Sequence, residues 1–328
     1  MSTLTTVEPA VVATARYKPS PEALGIALGV TAALIWGSYL AMARAGISAG
    51  LGATDIAFIR FAVAGLIMLP WLLWHHPSRM AGVGWGRATM LALVAGPFFI
   101  LIGAGGYQFA PLAHGAVLQP AALTLAAMIA ASVLFGDRLT SARIVGIATI
   151  LVGLVVIAGP GLLSGGATTP IGDAMFVAAG LMWAAFSILS KRWAVSPLAA
   201  TAVVSVLSAV IYVPGYLVIN GLDRVLALPT NTLMAQVLVQ GVLSGVVAVI
   251  AFSRAVQLLG PGRAAVFPAM VPAAAIFLGV PIAGEWPTAL QLAGLAIVTG
   301  GLMIALGIIT ASGSRLSASR RPTSAAPK

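Results

Sequence analysis

The chain has 328 residues, of which 60% are hydrophobic and only 7% are charged. Soluble globular domains carry about a quarter of their residues as charged side chains, so this composition excludes a water-soluble protein and favours one embedded in a lipid bilayer. The formal net charge of +10 does not indicate a nucleic-acid partner, because the cations sit in short breaks between apolar runs and form no basic stripe. The sequence contains no cysteine, which excludes disulfides, thiolate nucleophiles and Cys-based metal sites.

The apolar runs predict the fold class. Residues 1–20 are polar and lack the pattern of a secretory signal peptide, so we expect a cytoplasmic N-terminal segment there. A helix that crosses the hydrocarbon core needs about 20 apolar residues. About ten runs qualify, at Ala23–Ala43, Asp55–Trp74, Ala88–Phe109, His114–Phe135, Ala142–Ala158, Ala174–Leu189, Leu198–Ile219, Leu233–Phe252, Ala264–Ala283 and Ala289–Ile309. The predicted fold is an all-α polytopic membrane protein with ten transmembrane helices.

The sequence contains one pattern twice. Gly25, Trp36 and Arg44 recur 147 positions later as Gly172, Trp183 and Lys191. A second block recurs at an offset of 148, with Pro120, Gly136-Asp137, Thr140, Gly146 and Gly153 repeated as Pro268, Gly284-Glu285, Thr288, Gly294 and Gly301. A duplicated membrane-spanning unit is a common way to build a carrier with a central site between its halves.

The predicted domains follow from a Gly/Pro-rich stretch between the two copies. Residues 21–160 form a first five-helix repeat, 161–170 a linker, 171–311 a second five-helix repeat and 312–328 a basic cytoplasmic tail. Because five is an odd number, the second repeat enters the membrane from the opposite side, and we predict two inverted five-helix repeats.

The loop cations predict the orientation. With the N-terminus inside, the inner segments hold most of the arginine and lysine, whereas the outer loops hold only Arg44 and Arg224. We therefore expect both termini to be cytoplasmic.

These residues resemble the EamA-type branch of the drug/metabolite transporter superfamily over about Gly25 to Leu306. The motifs that carry the resemblance are Trp36-Gly37, the Gly-acid-x-x-Thr turns that begin at Gly136 and Gly284, and the glycine-marked helix after each turn. The first half departs from the pattern with Thr124 in place of a proline equivalent to Pro272, and with Asp137 in place of the commoner glutamate. The resemblance implies a carrier in the bacterial inner membrane that moves a small metabolite, often outward.

Six residues are candidates for the substrate-binding site: Trp36, Tyr39, Gln119, Trp183, Phe186 and Ser187. Inverted repeats place equivalent residues, such as Trp36 and Trp183 or Tyr39 and Phe186, on opposite walls of a midplane site. Packing in the core is the alternative for these aromatic side chains. The two polar residues are included because polar groups at membrane depth face the bundle interior.

The charged residues near the apolar runs have mostly structural interpretations. Asp137 and Glu285 are expected to cap the helices that follow them, with a proton or cation site as the alternative. Because little other acid lies in the apolar runs, we expect facilitated or weakly coupled transport. Arg60 is expected to pair with Asp55 or to snorkel, and Arg254 to snorkel. A cavity-facing arginine would favour substrates with a carboxylate or a phosphate.

Glycines predict where the repeats pack closely. Gly146 and Gly153 are seven residues apart, about two helical turns, and Gly294 and Gly301 repeat this spacing. Small residues on one face let helix backbones approach, so we expect the fifth and tenth helices to meet at the repeat junction.

The predicted function is secondary, ATP-independent transport of a small metabolite, with efflux of an amino acid or a related compound by alternating access as the main interpretation. A channel, a membrane accessory protein and a transporter of nucleobases, sugars or drugs are the alternatives. An enzyme is not expected, because the sequence shows no clustered acids and no nucleophile with a base at depth. His75-His76 lacks a third ligand, so we expect no metal and no cofactor. The expected partners are a small-molecule substrate and the lipid bilayer, with no nucleic acid.

Overall fold

The computed structural model describes residues 20–135, 140–163, 168–259, 264 and 266–305, and within these ranges the regular secondary structure is helical. The first half contains α1 (Pro21–Ser48), α2 (Ala53–Trp74), α3 (Trp85–Ala95), α4 (Pro97–Gly105), α5 (Leu112–Phe135) and α6 (Ser141–Leu163). The second half contains α7 (Thr169–Arg192), α8 (Pro197–Asn220), α9 (Asp223–Leu226), α10 (Thr230–Gln236), a π-helix (Val237–Val247), α11 (Ala248–Leu259), α12 (Val266–Ala283) and α13 (Ala289–Ala305). Short 3₁₀ turns cover Pro77–Arg79 and Gly106–Gln108.

The described helices fit a multi-pass membrane protein. Seven of them are long and apolar enough to cross a bilayer, counting α3 with α4 as one rod and α10, the π-helix and α11 as another. Three shorter apolar helices cover Ser141–Ile157, Phe267–Ala283 and Ala289–Ala305. The predicted all-α membrane fold is therefore confirmed in outline, and the count of ten crossings stays a prediction for the three shorter helices.

The helices of the two halves pair in a pattern that is unchanged when the halves are exchanged. α1 packs on α12 and α11, while α7 packs on α5 and on the rod formed by α3 and α4. α2 packs on α8, and α6 packs on α13, so these helices meet their own counterparts. Two copies related by a two-fold rotation give this arrangement. One cluster of buried apolar side chains extends from α1 to α13 through both halves.

The α6–α13 seam, formed by the last helix of each half, is a close backbone contact. A Cβ added at Gly146 would lie 2.6 Å from the Cβ of Ala305, and one at Gly301 would lie 2.8 Å from the backbone nitrogen of Ile150. No side chain larger than hydrogen fits at either place without movement. The predicted packing role of these glycines is confirmed.

Helix starts follow the local sequence. The Ser20 hydroxyl accepts a hydrogen bond from the Ala23 backbone at the start of α1, and Ser196 does the same for α8, each directly before a proline at the first helical position. In α13, Thr288 and Gln291 bond to each other's backbone N–H groups, at 3.2 and 2.9 Å. These caps fix where the rods enter the apolar region.

The third rod of each half is irregular at an equivalent position. Gly96, with φ −90° and ψ −143°, separates α3 from α4, so the apolar run predicted as one helix is two. A Cβ at Gly96 would overlap the carbonyl oxygen of Ala92 and lie 2.7 Å from the hydroxyl of Ser208. In the second half, Ser244 follows Gly96 by 148 positions and lies within the π-helix. Interrupted membrane helices and π-helical segments are concentrated at functional sites.

Candidate functional site

The two repeat-equivalent tryptophans each lie against an aromatic ring of the other half. The ring centroid of Trp36 on α1 is 5.3 Å from that of Phe252 on α11. Trp183 on α7 lies 5.1 Å from Phe99, which follows the break at the start of α4. Trp183 also lies 5.0 Å from Phe186. Both tryptophans keep part of their surface exposed, and they belong to two separate contacts that cross between the halves.

The two polar candidates of the site differ in how their side chains are used. Gln119 is half-buried on α5, and a Cβ at Gly103 of α4 would lie 3.6 Å from its Oε1 atom. Ser187 is exposed on α7, and its hydroxyl donates to the backbone carbonyl of Trp183 at 2.8 Å. Ser187 therefore uses its donor within its own helix, while Gln119 holds its amide beside the interrupted rod.

Tyr39, the remaining aromatic candidate, lies beneath a guanidinium group. The Cζ atom of Arg60 on α2 is 5.0 Å from the centroid of the Tyr39 ring, a distance typical of a cation–π interaction. The Nη1 atom of Arg60 donates to the hydroxyl of Ser244 on the π-helix at 2.8 Å. Arg60 therefore connects α1, α2 and the π-helix.

The predicted pairing of Arg60 with Asp55 is wrong. Asp55 is fully buried, and its carboxylate accepts from the backbone N–H of Gly52 at 2.7 Å and from the hydroxyl of Tyr216 at 2.6 Å. Residues five apart on a helix point about 140° from each other, so the two side chains face different neighbours. Asp55 caps α2 and ties it to α8.

Three polar side chains at four-residue steps form what we call the polar strip: Gln236, Gln240 and Ser244. The side-chain amide of Gln236 donates to the carbonyl of Met42 at 2.8 Å, and that of Gln240 donates to the carbonyl of Tyr39 at 3.4 Å. Both glutamines are fully buried, and their Oε1 atoms lack a hydrogen-bond partner within the part of the chain that the structure describes. Buried acceptors without donors are rare in folded proteins and point to a functional constraint.

Glu285 joins α1 to α5 at one end of the bundle. Its carboxylate accepts from the Nε of Arg44 and from the backbone N–H of Leu112, the first residue of α5, at 2.9 Å. Arg44 also donates to the carbonyl of Tyr107. The expected capping role of Glu285 is corrected, because its carboxylate stabilises the start of α5 in the other half while Thr288 caps α13.

A second cross-half pair lies at the same end. The Nδ1 atom of His114 on α5 is 2.8 Å from the Oδ1 atom of Asp173 on α7, with side chains only 5% and 14% exposed. Sequence reasoning missed Asp173, because the predicted helix began at Ala174, whereas α7 begins at Thr169. The acid in the other turn, Asp137, lies outside the described residues.

A cleft of about 310 Å³ opens beside these pairs, lined in part by Leu112, Ile276 and Trp286. It lies at the Glu285 end of the bundle, away from the tryptophan pairs. Among the described His, Asp and Glu residues, no group of three lies close enough to hold a metal ion.

Known proteins resemble this chain in sequence and in fold. A family model described as the EamA-like transporter family matches residues 23–159 and 170–307. A solved crystal structure of a protein is similar with a TM-score of 0.55 and 19% sequence identity, over 88% of this chain and 98% of the other. At that identity the similarity shows the fold alone. Among curated proteins none matches.

Proposed function

Because the chain belongs to the EamA-like transporter family, with one match in each half, we propose that it is a secondary carrier. The carrier exports a small metabolite, an amino acid or a related compound, by alternating access between two inverted repeats. The predicted location is the bacterial inner membrane with both termini in the cytoplasm, and it is supported by the bias of arginine and lysine toward one set of loops.

The observation that carries this proposal is the set of polar contacts between the halves at the Glu285 end. Arg44 bonds to Glu285, and His114 bonds to Asp173, so each pair takes one partner from each half. Alternating access requires one end of the bundle to close while the other opens. Arg44 and Glu285 are partly exposed, so their ion pair can separate at small cost and suits a gate.

The interior suits a compound with an apolar body and a polar group. Trp36 with Phe252, and Trp183 with Phe99, supply flat apolar surface. Arg60 supplies hydrogen-bonding groups on the side formed by α1, α2 and the π-helix, and the buried polar strip lies behind it. Small-molecule sites commonly combine aromatic lining with a few polar groups that fix orientation. Amino acids with apolar side chains have this chemistry.

The function is tested in two steps. Metabolites are first compared in the medium of cells that overexpress the protein and of cells that carry an empty vector, and a compound enriched by expression is taken forward. Purified protein in proteoliposomes preloaded with that unlabelled compound is then given the labelled form outside. A carrier accumulates label transiently by exchange, whereas a channel does not. Absence of both enrichment and exchange contradicts the proposal.

The gate is tested with Glu285→Gln. Because the sequence contains no cysteine, Ala113→Cys, placed at a buried position of α5, reports opening of the Glu285 end through its rate of maleimide labelling. Loss of the ion pair should destabilise the closed form by about 1 kcal/mol and raise the labelling rate several-fold. Asp223→Asn, at an exposed acid that begins α9, serves as the control and should leave the rate unchanged. Equal labelling rates in the two variants would show that Glu285 does not hold this end of the bundle closed.

A further inference from the structure

Arg60 is a cation within a membrane-spanning helix. It is the eighth residue of α2, so it lies about 10 Å along the helix axis from the start of that helix. Within the described ranges no carboxylate pairs with it, since Asp55 bonds to Gly52 and Tyr216, and the ion pairs of Glu285 and Asp173 lie elsewhere. A charge at this depth is expensive to maintain without a partner or a functional use.

The exposed part of Arg60 identifies what it faces. The residue is neither fully buried nor fully exposed. A guanidinium is costly in the hydrocarbon core, and both contacts of Arg60 lie on α1 and the π-helix, so the group faces the interior of the bundle. Its two contacts, Tyr39 on α1 and Ser244 on the π-helix, surround it with protein on the other sides.

Those two contacts orient the guanidinium and leave it chemically available. The Cζ atom of Arg60 lies over the ring of Tyr39, and the hydroxyl of Ser244 accepts a hydrogen bond from one of the five N–H donors of the guanidinium. The other donors are arranged as a planar fork, which matches two oxygens of a carboxylate or a phosphate. A hydroxyl and an aromatic face hold the cation in place without neutralising it, as a binding site for an anion requires.

The charge is present on one side of the molecule only. The first residues of α2 and α8 are 144 positions apart, as are their internal prolines Pro70 and Pro214, and at that offset Val204 occupies the place of Arg60. Because Arg60 has no charged counterpart at the equivalent position of the other half, the two sides of the interior differ in charge. A substrate with one anionic group would therefore bind in one orientation.

We propose that Arg60, held by Tyr39 and Ser244, is the binding site for an oxyanion of the transported compound, so that the carrier selects substrates with a carboxylate or a phosphate. This inference rests on the proposed function, because it assigns a substrate class to the same interior.

Binding is measured without transport, on purified full-length protein in lipid nanodiscs. The melting temperature is recorded with each of the common L-amino acids, with the matching amino acid amides, and separately with inorganic phosphate. For at least one pair the wild type should be stabilised by the acid and not by the amide. In Arg60→Gln the affinity for that acid should fall by about tenfold or more, since a charge-assisted hydrogen bond is lost.

Control variants separate recognition from folding. Arg254→Gln removes an exposed arginine of α11 that bonds to Gln257, and it should retain the preference for the acid. Arg60→Lys keeps the charge without the planar fork and should retain part of the affinity even where Arg60→Gln does not fold. Stabilisation by phosphate with none by the acids would assign the oxyanion to a phosphate.

Two outcomes would overturn the proposal. One is a wild type that responds equally to acids and amides and not to phosphate, and the other is a preference for the acid that survives in Arg60→Gln. Failure of the carrier function looks different, because binding selective for the acid without exchange in proteoliposomes would leave the Arg60 site intact. Exchange in proteoliposomes without selectivity for the acid would support the carrier function and contradict the oxyanion site at Arg60.

Discussion

In the first half the third rod is broken at Gly96 between α3 and α4, and in the second half it continues through Ser244 as a π-helix. Both solutions interrupt regular α-helical geometry at positions 148 residues apart. The break turns the start of α4 toward Trp183, where Phe99 packs. The π-helix instead keeps the chain helical and aims Ser244 at Arg60. The duplicated units have thus kept the place of the irregularity and changed its form.

The two rods also differ in polarity. The polar strip of the second half, formed by Gln236, Gln240 and Ser244, corresponds at the same offset to Ala88, Ala92 and Gly96 in the first half. Polar side chains on a membrane helix are costly unless they pair or bind a ligand. The first half therefore contributes apolar and aromatic surface through its third rod, while the second half contributes buried polar groups.

The largest effect is expected at the break itself. In Gly96→Ala the new methyl group would overlap the carbonyl of Ala92 and crowd the Ser208 hydroxyl, which should lower the free energy of unfolding by about 2 kcal/mol or more. Gly86→Ala in α3, where nothing lies within 4 Å of the new atom, is the matched control. Thermal melts in detergent compare the two. If they melt together, the break does not depend on glycine.

A smaller effect of opposite sign is expected in the polar strip. Gln240→Leu removes a buried acceptor that has no described partner and a donor with a long bond of 3.4 Å, so it should raise the free energy of unfolding by about 1 kcal/mol. Substrate exchange should nevertheless fall, because the strip loses a polar group. Gln257→Leu, at an exposed position of α11, should change neither quantity. If Gln240→Leu is more stable than the wild type and exchanges substrate at the full rate, the polar strip has a structural role only.

The smallest effects are expected at two contacts of the third rods, that of Ser244 with Arg60 and that of Gly96 with Ser208. Ser244→Ala removes the hydroxyl that accepts a hydrogen bond from Arg60, so it should lower the free energy of unfolding by about 0.5 to 1 kcal/mol. Ser208→Ala removes a buried hydroxyl with no partner among the described groups and should leave stability unchanged or raise it by about 0.5 kcal/mol. Melting curves of both variants, recorded together, measure the difference. Changes of the same sign in the free energy of unfolding would mean that the two serine hydroxyls affect stability in the same way.

The fold followed from the sequence to the extent that it depends on local pattern and duplication. Apolar runs predicted the rods, and the paired glycines predicted the α6–α13 seam, because both signals lie in short stretches of chain. The partner of Arg60 could not be predicted, since Ser244 is 184 residues away and no local pattern joins them. The π-helix likewise has an ordinary apolar composition. Asp173 has a signal in the sequence, because it is an acid directly after the repeated Gly172. The predicted helix begins one residue later, at Ala174, and therefore leaves Asp173 out.

The α6–α13 seam has a consequence for the order in which the protein is made. Ala305 follows Gly146 by 159 positions, so at roughly 5 to 20 residues per second a ribosome needs about 10 to 30 s to supply the partner of α6. During that interval the first half lies in the membrane without the helix that covers Gly146 and Gly153 in the folded protein. Of the described helices, α13 is the last to be synthesised and the one that covers this face of α6, so a ribosome that stalls before it leaves the glycines of α6 without the partner they have in the folded protein.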